Sequence, residues 1–369
     1  MNRLILLGNG FDLAHGMKTS YNDFILDYMI KCLTEVQENK TFGDEALEVT
    51  TNNYYYILES LGWDSLEAFV MDIYHTYGLK GLFDTETFFI GTRSIKNIYV
   101  FNFKYPFIKH LLENCSLNTW VEIENEYYSE LKSILSNKST NKKEELIVLN
   151  KSLAFLIKLL ENYLSDLPEP EYHPDYRNIL SSVFDKPIAD VYKPLAYMQP
   201  EHTMILNFNY TSTVIPYLRD IEIHTEVNYI HGKLNDLQQP IIFGFGDEID
   251  KTYQQIEDDQ NNHFFTYIKS FWYFLNSNYH DLIRFIESEK YEVFILGHSC
   301  GLPDRTMLNM VFEHENCRSI KIFYYQNEKE HTNFIELTQE ISRHFTNKAT
   351  MRKKIVPFPL LSPMPQVKP

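Results

Sequence analysis

The chain has 369 residues, 44% of them hydrophobic, which is enough for a sizeable core in two domains or in one α/β domain with an insertion. Its net charge of −16 opposes a nucleic-acid partner. The start lacks a signal-peptide pattern, no stretch reaches the roughly 18 uncharged apolar residues of a membrane span, and the cysteines lack zinc-ribbon spacing. We therefore expect a cytoplasmic protein without a membrane partner.

Short apolar segments predict the buried strands of a parallel sheet, because they lack the alternation of a half-solvated strand. The predicted strands are Leu4–Leu7, Met204–Phe208, Asn228–Ile230, Val293–Leu296 and Ile320–Tyr324, with Ile241–Phe243 as a candidate sixth. Helical patterns follow the fourth and fifth strands at Thr306–Glu313 and Asn333–Phe345. This alternation favours an α/β fold with a doubly wound, mostly parallel sheet.

Residues 44–192 interrupt the alternation and predict a large helical insertion. Its helical patterns are Leu66–Tyr77, Ile108–Asn114, Trp120–Leu135 and Glu144–Leu164. The flanking parts, 1–43 and 193–350, would together form the nucleotide-binding α/β core. Residues 351–369 are rich in proline and predict an extended or polyproline tail.

Polar clusters begin where four of the predicted strands end. They are Gly8-Asn9-Gly10 with Asp12, then Asn207-Phe208-Asn209-Tyr210-Thr211, then His231-Gly232-Lys233, then Gly297-His298-Ser299 with Asp304. Because the carboxyl ends of parallel strands lie along one edge of a sheet, these clusters should converge in space. A ligand cleft is expected at that edge.

The first cluster offers main-chain N–H groups at a helix start, an arrangement that receives phosphate. It keeps only two glycines of the dinucleotide fingerprint, with Leu13 in the place of the third. A tight strand-to-helix turn without a ligand is the alternative. Asp12 could equally be a helix cap, and His15 a packing residue.

Asn209 and His231 are the candidate catalytic residues. The Asn209 amide can donate and accept hydrogen bonds, which suits a sugar hydroxyl or a positioned water. His231 suits a general base, because the ordinary pKa of imidazole lies near neutral pH. The alternatives are an Asx-turn at the asparagine and a core histidine bonded to backbone.

The stretch Gly297-His298-Ser299-Cys300-Gly301 fits the G-x-S-x-G elbow of serine hydrolases. That chemistry needs an acid and then a histidine downstream, and the elbow would leave the other three clusters unused. Ser299 and Asp304 are therefore predicted to contact ribose or phosphate. A serine hydrolase stays as an alternative.

The motifs carry a family resemblance. LILLGNGFDLAHGMKTSYNDF, ILNFNYT, YIHGKLND, IIFGFG and FILGHSCGLPDRTMLNMVFEHENC resemble the AbiH family of phage abortive-infection proteins, from the first residues to about Tyr325. The same landmarks are more distantly similar to sirtuin-like NAD-consuming domains. That resemblance implies a glycine turn at Gly8 and Gly10, catalytic Asn209 and His231, and ribose contacts at Ser299 and Asp304.

The sequence departs from the sirtuin-like pattern at Asn9 and Thr211 and lacks the zinc-ribbon cysteines, so protein deacetylation is not expected. The resemblances imply a phage-defence effector that hydrolyses NAD⁺ or a related nucleotide at the N-glycosidic bond, with no metal. A nucleotide sensor without turnover is the alternative. A phage-derived trigger or partner is expected, and a homo-oligomer stays open. The expected nucleotide-contacting residues are Gly8, Asn9, Gly10, Phe11, Asp12, Asn207, Tyr210, Gly297, His298, Ser299 and Asp304.

Overall fold

The structure is a computed structural model. It describes residues 1–51, 63–83, 99–114, 119–137, 141–184, 198–219 and 221–367, and the backbone of 88–90 and 93–95. The chain divides into two units, one made of residues 1–19, 161–260 and 267–369, the other of residues 20–160 and 261–266. The first unit contains the candidate site.

A five-stranded parallel sheet forms the centre of the first unit. The described strands are β1 (Asn2–Leu7), β2 (Thr41–Gly43), β3 (Leu47–Thr51), β4 (Phe88–Ile90), β5 (Arg93–Ile95), β6 (Tyr99–Phe103), β7 (His202–Asn207), β8 (His224–Tyr229), β9 (Tyr291–Leu296) and β10 (Cys317–Phe323). The sheet has the order β10-β9-β1-β7-β8, and every pairing in it is parallel. The predicted parallel α/β sheet is therefore confirmed.

The register aligns the ends of the strands. Leu7 at the end of β1 pairs with both Asn207 and Leu296, the last residues of its two neighbours. The chain crosses to β7 and β8 on one side of β1 and to β9 and β10 on the other. In open α/β sheets, ligands commonly bind at the carboxyl edge where the strand order reverses in this way.

Alternate residues of the strands pack on opposite faces of the sheet. Leu4, Leu6 and Val293 belong to one buried cluster, whereas Ile5, Leu7 and Phe294 belong to another. Helices cover both faces, so neither face needs polar residues. This arrangement explains why the strands are almost continuously apolar in the sequence.

The helices predicted in the core and in the middle of the chain are present, with ends that differ from the prediction by up to a few residues. The described helices are α1 (Asn9–Ala14), α2 (Tyr21–Asn39), α3 (Leu66–Tyr77), α4 (Lys80–Phe83), α5 (Pro106–Glu113), α6 (Trp120–Ser136), α7 (Lys142–Ser165), α8 (Asp175–Leu180), α9 (Lys251–Asp259), α10 (Lys269–Trp272), α11 (Asn278–Ser288), α12 (Arg305–Glu313), α13 (Phe334–Arg343) and α14 (Lys348–Lys354). No helix among the described residues is long and apolar enough to cross a membrane.

The middle of the chain is not purely helical. It contains the antiparallel sheet β2-β3-β6 and the antiparallel pair β4-β5 beside its helices. In β3, buried and exposed residues alternate from Leu47 to Thr50, a period of two that indicates a strand. Parts of the predicted insertion, including 52–62 and 185–192, lie outside the described residues.

The candidate sixth strand was wrong, and the predicted extended tail begins as the end of a helix, α14. Ile241–Phe243 joins no sheet, because the Ile242 N–H donates to the His231 carbonyl in a loop. After α14, the tail runs beside β10, where Val356 N–H donates to Ile320 and Met364 N–H to Tyr324. Prolines limit the hydrogen bonds that such a segment can donate.

Candidate functional site

The glycines of the first cluster permit two backbones to approach closely. A Cβ atom at Gly8 would lie 2.5 Å from the Cα of His298, and one at Gly10 would lie 2.9 Å from the Cα of Gly297. Gly297 itself has a φ of +73°, and a Cβ there would lie 2.2 Å from the amide nitrogen of Phe11. The first and fourth clusters therefore meet, as the sequence predicted, through their main chains.

This close approach uses the N–H groups that were expected to cradle phosphate. The Gly8 amide donates to the Leu296 carbonyl at 3.1 Å, and the Gly10 amide donates to the Gly297 carbonyl at 2.9 Å. An amide that already donates within the protein is not available to a ligand without breaking that bond. The amides of Gly8 and Gly10 thus join the ends of two strands, and a phosphate contact at this turn stays a prediction.

Phe11 and His15 belong to the core. The Phe11 side chain is fully buried against Tyr176, and its amide donates to the Gly8 carbonyl. The Nδ1 of His15 donates to the Phe11 carbonyl, and its Nε2 lies 2.7 Å from the Tyr217 hydroxyl. Phe11 and His15 therefore pack in the core, and a ligand contact at Phe11 stays a prediction.

The second cluster is joined to the first through Asn209 and Asp12. The Asn209 amide donates from Nδ2 to the Gly8 carbonyl at 3.0 Å, and the Thr211 hydroxyl donates to Asp12 Oδ2 at 2.6 Å. Asn207 accepts the Asn209 main-chain N–H in an Asx-turn. The side chain of Asn207 therefore shapes this loop, which was the alternative to a ligand contact.

Asp12 is a buried carboxyl group with one unsatisfied oxygen. The residue is 1% exposed, and Oδ1 has no hydrogen-bond partner among the described residues. Burial raises the pKa of Asp12 to about 6, although the hydrogen bond from Thr211 opposes the shift. Ionising a carboxyl group in this environment costs free energy, so the charged form of Asp12 destabilises the folded protein.

The third and fourth clusters meet at the carboxylate of Asp304. Its Oδ1 lies 3.1 Å from Nε2 of His231 and accepts a hydrogen bond from Nζ of Lys269 at 3.0 Å. Its Oδ2 lies 3.6 Å from Nε2 of His298. All four side chains are at least nine-tenths buried.

His231 sits between two aromatic rings. Its ring stands edge to face with Phe208 and stacks parallel to Tyr273, whose hydroxyl lies 3.2 Å from Nε2. Nδ1 makes no hydrogen bond with the part of the chain that the structure describes. Burial lowers the pKa of His231 to about 4, and the Lys269 charge adds to this shift while Asp304 opposes it. His231 is therefore neutral at pH 7.

Asp304 is an ionised carboxylate held by groups within the protein. Burial would raise the pKa of Asp304, but the charge of Lys269 and the contact with His231 outweigh it and hold the pKa well below its usual range. The ionised carboxylate is engaged by Lys269, His231 and His298. Asp304 thus makes internal ionic contacts, and a ribose contact at this residue stays a prediction.

The serine-hydrolase geometry is absent from this part of the described chain. Ser299 is exposed and forms no hydrogen bond with the described residues, and the positive φ values fall on Gly297 and Cys300 instead. Nδ1 of His298 accepts the Cys300 amide, and Nε2 of His344 donates to the Cys300 carbonyl. Neither histidine is positioned to activate Ser299 as a nucleophile.

Asn9 and Tyr210, two further residues that the sequence predicted to contact the nucleotide, bond to main-chain carbonyls. The Asn9 amide donates to the Thr19 carbonyl, and the Tyr210 hydroxyl donates to the Ile242 carbonyl at 3.3 Å. Both side chains are half-buried, so each retains some access to solvent.

Sequence reasoning missed Lys269 and Tyr273. Lys269 is the one charged residue in the stretch FFTYIKSFWYF, and a lone charge in an aromatic run is the signal that could have identified it. Among the described residues, no group of three or more His, Cys, Asp or Glu side chains is arranged to hold a metal ion.

The family of the chain is indicated by a comparison with protein-family models. A family model described as bacteriophage abortive infection AbiH matches residues 4–326, a span that includes all four polar clusters. No curated protein matches the chain.

Proposed function

The chain belongs to the AbiH family of bacteriophage abortive-infection proteins, and from this membership and the geometry of the sheet edge we propose that it hydrolyses the N-glycosidic bond of NAD⁺ or a related nucleotide. Membership implies a role in abortive infection. The observation that carries the enzymatic proposal is the neutral, buried His231 at the carboxyl edge of a parallel sheet, whose Nδ1 forms no hydrogen bond within the described part of the chain.

Hydrolysis at this bond needs a water and a base more than it needs an acid. The bond between ribose C1′ and the nicotinamide nitrogen breaks, and its electron pair neutralises the cationic ring of the leaving group. The water oxygen then bonds to C1′, and the proton of that water passes to Nδ1 of His231 and on to solvent. A neutral imidazole in a buried site is a competent acceptor for this proton.

Asn209 supports the same proposal as the group that orients water or ribose. Its Nδ2 is held by the Gly8 carbonyl, whereas its Oδ1 forms no hydrogen bond with the described residues. A fixed amide oxygen can accept a hydrogen bond from a water or a sugar hydroxyl. With the amides of Gly8 and Gly10 engaged, the exposed hydroxyl of Ser299 and the half-buried Tyr210 remain as candidate contacts to the nucleotide.

The direct test is to incubate the purified protein with NAD⁺ or NADP⁺ and to identify products by mass spectrometry. We expect nicotinamide and the corresponding ADP-ribose from the wild type, and no turnover from His231→Ala. His224→Ala is the matched control, because His224 is exposed at the opposite end of a strand of the same sheet. Release by His231→Ala at the wild-type rate would contradict the role of His231.

A second test uses infected cells, because the enzyme would be inactive in the purified state if it requires a phage trigger. Cellular NAD⁺ is measured during infection of bacteria that carry the wild type or His231→Ala. A loss of NAD⁺ with the wild type alone supports the proposal. Intact NAD⁺ in both strains, together with nucleotide binding by the purified protein in a thermal-shift assay, would favour the sensor instead.

A further inference from the structure

Lys269 is fixed in place by its main chain and by a glycine. Its N–H donates to the Phe245 carbonyl at 2.9 Å, and the neighbouring Ile268 forms a parallel bridge with Phe245. The stem of Lys269 passes over Gly246, where a Cβ would lie 3.4 Å from the Cβ of Lys269. The side chain is 1% exposed, so its ammonium group reaches Asp304 from inside the protein.

One oxygen of Asp304 contacts both the ammonium group and the imidazole. Nζ of Lys269 donates to Oδ1 at 3.0 Å, and Nε2 of His231 lies 3.1 Å from the same oxygen. A carboxylate that faces a buried ammonium group stays ionised, and an ionised carboxylate only accepts hydrogen bonds. A lone pair on Nε2 would then face a negative oxygen with no hydrogen between them, so this nitrogen has to carry the proton.

We propose that Lys269 is a positioning residue that, through Asp304, holds the single proton of the His231 ring on Nε2 and leaves Nδ1 as the basic nitrogen. This inference rests on the proposed function for its role in catalysis. The protonation state itself does not depend on any substrate. Lys269 therefore acts in two ways: its charge keeps Asp304 ionised, and the same charge opposes a second proton on His231.

The groups that face His231 come from separate segments. They are Lys269, Asp304, His298 and the hydroxyl of Tyr273. Without the ammonium group of Lys269, the negative charge of Asp304 would be balanced mainly by the imidazole of His231. The His231–Asp304 pair would then bind a second proton more readily. His231 would then be a cation with no free lone pair.

The test is nitrogen NMR of the full-length protein labelled in histidine, with His231→Gln used to assign the His231 signals. In the wild type we expect one proton, on Nε2, from neutral pH down to about pH 4. In Lys269→Met, which keeps the apolar stem, we expect the second ring proton to stay bound at a pH well above 4, where the wild-type ring carries one proton, and to leave as the pH rises further. Lys269→Arg should retain the wild-type pattern.

Two further variants separate this inference from a general structural effect. Tyr273→Phe should leave the proton on Nε2, because the carboxylate remains; its transfer to Nδ1 would overturn the inference. Lys354→Met removes a lysine that bonds the carbonyls of Phe312 and His314, and it should not change the His231 signals. A wild-type ring with its proton on Nδ1 would also overturn the inference.

Turnover gives a second readout once substrate hydrolysis is established. Lys269→Met should lose activity at neutral pH and regain it at higher pH, since His231 then releases its extra proton. A loss of activity equal at every pH would indicate a merely structural role and contradict the inference. If NMR gives the expected pattern but no nucleotide is cleaved, the proposed function fails while the assignment of the proton stands.

Discussion

Replacing Asp12 by asparagine is expected to change how the stability of the protein depends on pH. Asp12 is 1% exposed, its Oδ2 accepts from Thr211 at 2.6 Å, and its Oδ1 has no partner among the described residues. Burial raises the pKa of Asp12 to about 6 from an ordinary value of 3.8. The folded protein thus holds this proton over a range of pH in which the unfolded chain has already released it.

The sign and the size follow from this difference in pKa. Between about pH 3.8 and pH 6 the native state binds more protons than the unfolded state, so the free energy of unfolding falls as the pH rises. The difference between 6 and 3.8 corresponds to about 3 kcal/mol at roughly 1.36 kcal/mol per pKa unit. About 2 kcal/mol of this loss falls between pH 4.5 and pH 7.5.

The assay is urea denaturation of the wild type and Asp12→Asn at these two pH values. Other carboxylates titrate in the same range, so the quantity to compare is the difference between the two proteins. We expect the wild type to lose about 2 kcal/mol relative to Asp12→Asn as the pH rises. Asp258→Asn removes an exposed carboxylate and serves as the control. Parallel pH dependence in the wild type and Asp12→Asn would refute the reasoning.

Two other substitutions test the packing around the sheet. Gly297→Ala should lower the free energy of unfolding by about 1–3 kcal/mol more than Gly16→Ala does. Both glycines have a positive φ, but only a Cβ at Gly297 would meet backbone, 2.2 Å from the amide nitrogen of Phe11. Equal losses of stability in urea denaturation would contradict this prediction. Arg3→Met should cost about 3–5 kcal/mol, because it leaves Glu292 buried without the guanidinium that lies 2.6 Å away. The double variant Arg3→Met/Glu292→Gln should recover most of that loss, and a double variant as unstable as the single one would show that the pair is not coupled.

The local pattern of the sequence was sufficient for the parallel sheet. The five strands were predicted from short apolar segments without a polar alternation, and their clusters converged because parallel strands end at one edge. β8 was the least well placed strand, with a predicted start at Asn228 and an observed start at His224. It lies at the sheet edge, where its first residues alternate between exposed and half-buried positions, so an apolar run marks only its end.

The sequence by itself determined which strands carry the site and which polar residues lie at their ends. Only the tertiary structure decided which hydrogen-bonding groups remain available there. Gly8 and Gly10 were assigned to phosphate, yet their amides bond to the end of β9, and Asp304 was assigned to ribose, yet it pairs with Lys269 from 35 residues away. Apolar periodicity is a local property of a segment, whereas the partner of a buried polar group is chosen by segments that meet only after folding.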